Sequence, residues 1–361
     1  MKQLTRRGCI QGTLAALAGA HTAVPALGAP EKWKPSKPGI KFAELFYSPQ
    51  SRDVRLAKQV GVNYAIAGVN LGRVRREQYV ETLQKIKDGF AEAGLTIAGV
   101  ESHPVPAERI KLGVEGRDEE IENYKWAIEA LSKVGINMIC YNFMAGLGWT
   151  RTRTDVPERG GALTSEFDLE AAKALGNTRW GEVSEEKMWD NITYFIKQVM
   201  PVAEKFNVQM ALHPDDPPLS PLRGVARILT SARAYRRVME IVPSRVNGVT
   251  FCQANFRLMG EDIYSLAKEW CAKKKIFFVH FRDVEGTKEK FRETFHDNGP
   301  TDMVRMLQIY SKGGFTGPIR PDHAPTIEGD PNDRPGYAMG GKVLAFGYMR
   351  GIMEALRLPY E

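Results

Sequence analysis

Four residues able to hold a metal ion stand at the ends of four short apolar runs. His213 closes Met210-Ala211-Leu212, Cys252 closes Val249-Thr250-Phe251, His280 follows Phe277-Phe278-Val279, and Asp322 follows Arg320-Pro321. Two imidazoles, a thiolate and a carboxylate form a donor set suited to a divalent transition-metal cation. Any one of them alone reads as a buried polar residue satisfied by the backbone. Four at equivalent places read as a site. His323 directly follows Asp322. Neighbours on a strand point to opposite faces, but that constraint relaxes past a strand's end. His323 could therefore bend over the same site as an acid or base, or stand on its rim. His296, in Phe291-Arg292-Glu293-Thr294-Phe295-His296-Asp297, either contacts a substrate or faces solvent. Cys140, on an apolar run, and Cys271, on a helical segment, read as core.

Ligands at the ends of successive strands need a scaffold that brings those ends together. Short runs rich in Val, Ile and Phe, bounded by Gly, Pro, Asn or Asp, predict strands at 40–46, 62–69, 95–100, 136–141, 208–212, 248–251, 276–281 and 317–320. Amphipathic segments predict helices between them, at 50–59, 77–93, 118–133, 185–206, 231–241, 261–274, 301–312 and 342–356. Eight β-α units in series imply a parallel (β/α)8 TIM barrel, whose active sites sit at the C-terminal ends of the strands. A doubly wound open sheet is the competing architecture, but its Gly-x-Gly-x-x-Gly turn after the first strand is absent. Residues 144–184, after the fourth strand, carry no clean period and read as a long insertion, in the manner of a lid.

The 361 residues thus divide into an N-terminal segment and one barrel spanning 40–361. Residues 1–29 hold Lys2, Arg6 and Arg7, a mild Ala/Gly/Leu run and Val24-Pro25-Ala26, the three regions of an export signal. Arg6-Arg7 gives it a twin-arginine character. The apolar run is too short for a membrane span of about 20 residues, so no stable membrane anchor is expected. Residues 30–39 form a Pro/Lys linker. Loss of 1–29 takes the net charge from +7 to +4. It leaves Cys140, Cys252 and Cys271, an odd set that argues against full disulfide pairing. No basic stripe with interleaved aromatics appears, so nucleic acid is not an expected partner. The sequence leaves a homo-oligomer open.

The motifs HPDDPP (213–218), TFCQ (250–253), VHFRDV (279–284), FHDNGPTDM (295–303), RPDHAP (320–325) and GYAMGG (336–341), in this order, resemble the mannonate dehydratase family. So do IENY (121–124), CYNFM (140–144) and WTRT (149–152). The likeness covers about residues 40–357. It implies a xylose-isomerase-like barrel, Mn2+ or Fe2+ held by His213, Cys252, His280 and Asp322, and proton transfer by His323 and Tyr337. The reaction it implies is dehydration of D-mannonate to 2-keto-3-deoxy-D-gluconate, in a periplasmic or secreted setting if the signal acts. A small sugar acid is then the partner. Arg282 and Arg151 are expected at its carboxylate, because guanidinium pairs with carboxylate bidentately. Arg153 is expected in a surface salt bridge, and Asn142 at a sugar hydroxyl. The chain departs from the family pattern at Ala254 and in its Arg/Gly-rich insertion. Two other readings fit the same residues: a metal-dependent sugar isomerase, epimerase or lyase on this barrel, and a sugar-acid binder without turnover.

Overall fold

The computed structural model describes residue 35 and residues 37–361. The proposed export signal at 1–29 and most of the linker lie outside the described residues. Strands run, in chain order, β1 Lys41–Phe46, β2 Tyr64–Gly68, β3 Thr96–Glu101, β4 Met138–Tyr141, β5 Arg153–Pro157, β6 Leu163–Asp168, β7 Gln209–Leu212, β8 Asn247–Cys252, β9 Ile276–Phe281, β10 Val284–Thr287, β11 Lys290–Glu293 and β12 Pro318–Pro321.

β1, β2, β3, β4, β7, β8, β9 and β12 pair in parallel and close into a barrel, with β12 returning to β1. These are the eight strands expected from the sequence, each within about two residues of its predicted bounds. The core of the barrel is filled by side chains including Ala43, Ile66, Met138, Ala211 and Phe278. Between β2 and β3 the register slips as Ala65 pairs Ile97 and Ile66 pairs Gly99. Gly99 suits the slip: a Cβ there would press on the flexible end of the Met138 side chain and lie 3.1 Å from the Met138 carbonyl oxygen.

The surrounding helices start where small polar side chains cap them. Ser51 Oγ accepts from the Val54 amide, Ser184 from Lys187, Ser231 from Ala234, and Asp302 from Arg305. The last helix, Met339–Ala355, begins three residues earlier than its apolar pattern suggests; Gly340 and Gly341, poor helix formers, hide its first turn in the sequence. That early start seats Tyr337 two residues before the helix. Near the opposite end of the barrel, the Glu361 amide donates to the Ile40 carbonyl (2.7 Å) and Tyr64 Oη donates to Glu361 Oε2 (2.6 Å).

The insertion after β4 departs from expectation. It is not an open lid but a β5–β6 hairpin followed by the short helix Leu169–Ala174. β6 pairs antiparallel with β11, Phe167 opposite Phe291, and β11 pairs with β10, so a four-stranded sheet stands above the barrel. Phe167, Phe291, Val284, Leu222, Leu258 and Ala254 form the apolar cluster that seats it. Its strands are short, and the partner of β6 lies more than a hundred residues away, so no local periodicity announces the sheet. Helices Glu108–Leu112 and Gln253–Leu258 were likewise too short to be expected. No helix among the described residues is long and apolar enough to cross a membrane.

Candidate metal centre and active site

Parallel register gathers the candidate ligands. Cys252 on β8 is the direct partner of His280 on β9, and His280 is the partner of Arg320 on β12. Asp322 lies just past Pro321, the partner of Phe281. Leu212 pairs with Tyr141, which puts His213 and Asn142 one residue past neighbouring strands. Side chains at equivalent heights on adjacent parallel strands share a face, so these groups meet at one mouth of the barrel.

One ligand atom each from His213, Cys252 and His280 lies within 4.8 Å of the others. His213 Nε2 is 3.2 Å from His280 Nδ1, and Asp322 Oδ2 is 3.4 Å from that same nitrogen. His213 Nδ1 sits 2.8 Å from the Pro214 carbonyl, which fixes its ring. Burial raises the Cys252 thiol, but Arg282, with Nη1 3.4 Å from the sulfur, and the two histidines pull it down to about 6. It is therefore a thiolate at neutral pH. Burial also opposes charge on His280, yet Asp322 and Glu101 hold its pKa well above the usual range. The Cys252 sulfur and the Asp322 carboxylate beside two imidazoles fit a divalent cation, which would take the place of the His280 proton. Glu101, Cys140 and His280 form a second such cluster on the other side of the His280 ring.

A cavity of about 260 Å³ opens onto these groups. His213, His280, Asp322, His323, Tyr337 and Asn142 all line it. His323, beyond the strand's end, faces the same space as Asp322. Its Nε2 is 3.0 Å from Tyr337 Oη, its Nδ1 is 3.2 Å from Glu293 Oε1, and its ring packs 4.8 Å from Trp149. Burial lowers the His323 pKa and raises that of Tyr337, so both are neutral near pH 7.

The arginines do something other than expected. Arg282 gives Nε and Nη2 to Glu293 (2.7 and 2.8 Å) and Nη1 to Asp216 (2.9 Å). Arg151 bridges the same two carboxylates, at 2.7 Å to Asp216 and 2.5 Å to Glu293. All four side chains are about 1% exposed or less. Neither arginine lines the cavity; each is consumed by an internal carboxylate. Arg153 is exposed and bonded to Asp155, as its position predicts. His296 is buried rather than solvent-facing, stacks on Phe281 at 6.0 Å between centroids, and lies outside the cavity wall. Burial pushes its pKa down to about 4. Asn142 lines the cavity, and its Oδ1 accepts from the Met144 amide (3.2 Å). Cys140, Cys252 and Cys271 are buried and free.

Sequence reading passed over Glu101, Trp149, Asp216 and Glu293. Glu101 ends β3 and pairs with Cys140, so the rule that found His213 and Cys252 would have found it. Burial opposes its ionisation, but Arg320, donating at 2.9 Å, and His280 hold its pKa at about 2. Glu293 gave no such signal, because it belongs to β11 of the added sheet.

Comparison of the whole chain and its fold places it among known proteins. The family model described as D-mannonate dehydratase (UxuA) matches residues 50–179 and 171–360. Mannonate dehydratase 2 of Halalkalibacterium halodurans is 35% identical over 324 residues, covering 82% of this chain and 92% of that one. The crystal structure of mannonate dehydratase from Streptococcus suis serotype 2 superposes with a TM-score of 0.79 at 30% identity, over 90% of this chain and 96% of that chain. A xylose isomerase domain protein from Planctomyces limnophilus shares the fold alone, at TM-score 0.56 and 13% identity, over 88% of this chain and 99% of that one. With its length matched nearly end to end past residue 50 and its barrel superposed on a solved member, the chain belongs to the D-mannonate dehydratase family.

Proposed function

We propose that the protein is a metal-dependent hydro-lyase that removes water from D-mannonate to give 2-keto-3-deoxy-D-gluconate. One observation carries the reading: His213 and His280 of the three-ligand cluster line the same small cavity as a His–Tyr hydrogen-bonded pair, with Cys252 buried behind them. The reaction breaks a C2–H bond and the C3–O bond, and the resulting enol becomes the 2-keto acid. The C3 hydroxyl leaves as water only if it gains a proton.

His213, Cys252 and His280, with Asp322 beside them, would hold the cation, with Mn2+ or Fe2+ the assignment supported by the family resemblance. Bound there, the cation supplies a Lewis acid for charge developing on the substrate's oxygens. The His323–Tyr337 couple spans the proton chemistry, one member taking the C2 proton and the other protonating the departing hydroxyl. Trp149 covers the His323 ring and excludes water from one side. Asn142 offers its amide to a hydroxyl. The substrate carboxylate meets no arginine on the cavity wall, so the cation and neutral donors receive it, while Arg151 and Arg282 hold Asp216 and Glu293 in place.

Purified protein loaded with Mn2+ and given D-mannonate should form a 2-keto acid, and EDTA should abolish it. Metal-replete protein that yields no keto acid from D-mannonate would remove this reading. Residues 1–29 support a further part of it, export through a twin-arginine-type signal. Cell fractionation and N-terminal sequencing of the mature protein test that part; an intact N-terminus confined to the cytoplasm would refute it.

A further inference from the structure

We infer that Glu293 is a positioning residue for the acid–base couple: it fixes the tautomer and ring orientation of His323, so that Nε2 presents its lone pair toward Tyr337 and the cavity. The inference deepens the dehydratase reading and rests on it.

Donors converge on this carboxylate from three side chains. Oε1 receives Arg151 Nη2 (2.5 Å), Arg282 Nη2 (2.8 Å) and His323 Nδ1 (3.2 Å), while Oε2 receives Arg282 Nε (2.7 Å). A carboxylate bonded by two guanidinium groups is ionised and can only accept. The histidine nitrogen facing it must then carry the hydrogen. In a neutral imidazole the other nitrogen is bare. That nitrogen, Nε2, lies 3.0 Å from Tyr337 Oη, whose hydroxyl is left as the donor. Geometry sets the first link, His323 Nδ1 donating to Glu293, and a neutral ring then receives the Tyr337 hydroxyl on Nε2.

The surroundings hold this order in place. Asp216 and Glu293 face Arg151 and Arg282, two negative charges against two positive, all buried. Two guanidinium groups bonded directly to Glu293 let it keep its charge without a proton from His323. When His323 gains a proton during turnover, the adjacent carboxylate stabilises the imidazolium. Trp149 packs on the His323 ring, and the Arg151 guanidinium packs over Trp149 at 4.8 Å, so rotation of the ring is opposed on that side. Glu293 comes from β11 and Arg151 from the segment leading into β5. The appended sheet thus reaches the proton-transfer groups through these two side chains.

The test has two arms. In Mn2+-loaded enzyme, Glu293→Gln removes the charge with little change in shape. It should lower kcat by about 100-fold while KM and metal content stay within about three-fold. Glu293→Asp, which restores the charge, should recover at least about ten-fold of that loss. A folded Gln variant with kcat within about three-fold of wild type would overturn the assignment, as would an Asp variant no better than Gln. The second arm needs no variant of Glu293. In wild-type protein labelled with [15N]histidine and loaded with diamagnetic Zn2+, His323, identified by its loss in His323→Gln, should show a proton bonded to Nδ1 and none on Nε2. A neutral ring protonated on Nε2 would overturn the inference even if the Gln variant fails to fold. Absence of keto acid from wild-type enzyme would instead fault the dehydratase reading, leaving the tautomer result to stand or fall by itself.

Discussion

The ligand cluster and the proton-transfer cluster both reach one cavity but are built by different means. His213, Cys252, His280 and Asp322 stand at the ends of β7, β8, β9 and β12, and barrel register alone brings them together. His323, Tyr337, Trp149 and Glu293 come from loops and from the added sheet, and only tertiary packing unites them. The second cluster depends on a buried charge network that joins barrel and sheet. Binding of the cation and transfer of the proton should therefore fail separately.

Removing a ligand gives the largest effect. Cys252→Ala and His213→Ala should lose the bound cation, measured by elemental analysis, and activity should fall to background. A variant that keeps its full metal complement would break the assignment of that residue. His323→Ala comes next: it should retain metal but lose about 10²–10⁴-fold in kcat, the range for a general acid or base. Tyr337→Phe should lose activity similarly and still bind the cation. An active His323→Ala enzyme would dissolve the distinction between the clusters.

A smaller effect is expected behind the second cluster. Arg151→Met strips Asp216 and Glu293 of one buried partner, which costs about 3–5 kcal/mol where a buried pair is broken. Chemical denaturation should register that loss while the cation still binds. Smaller again is the pH response of His296, at roughly 3 kcal/mol for a shift from 6.5 to about 4. The folded protein keeps this ring neutral where the unfolded chain protonates it. Stability from this group is therefore complete above pH 6.5 and declines as pH falls toward 4. His296→Phe should flatten that part of the pH–stability curve; an unchanged slope would mean the ring is not held neutral. Arg153→Ala, on the exposed rim, should change stability by about 0.5 kcal/mol or less.

How much of this was legible in the sequence follows the same division. Eight strands could be read because each is an apolar run with its own boundaries, and the four ligand candidates because they end such runs. Glu101 obeyed the same rule at the end of β3 and was overlooked. Arg151 and Arg282 were seen as cations and given to a substrate. The carboxylate partners of Arg151, Asp216 and Glu293, are 65 and 142 residues away, and no spacing reveals such pairs; only Arg282 has Glu293 close by, 11 residues on across the β10–β11 hairpin. The added sheet was hidden for a related reason, since β6 has no partner within its own neighbourhood except β5.

The pairing of β6 with β11 makes two distant stretches of chain a single part. Residues 153–168 and 284–293 cannot be lengthened, shortened or exchanged one at a time without exposing the other's edge. A designer moving this active-site roof onto another barrel would have to transplant both segments together. Among natural variants, insertions in one stretch should be accompanied by matching changes in the other.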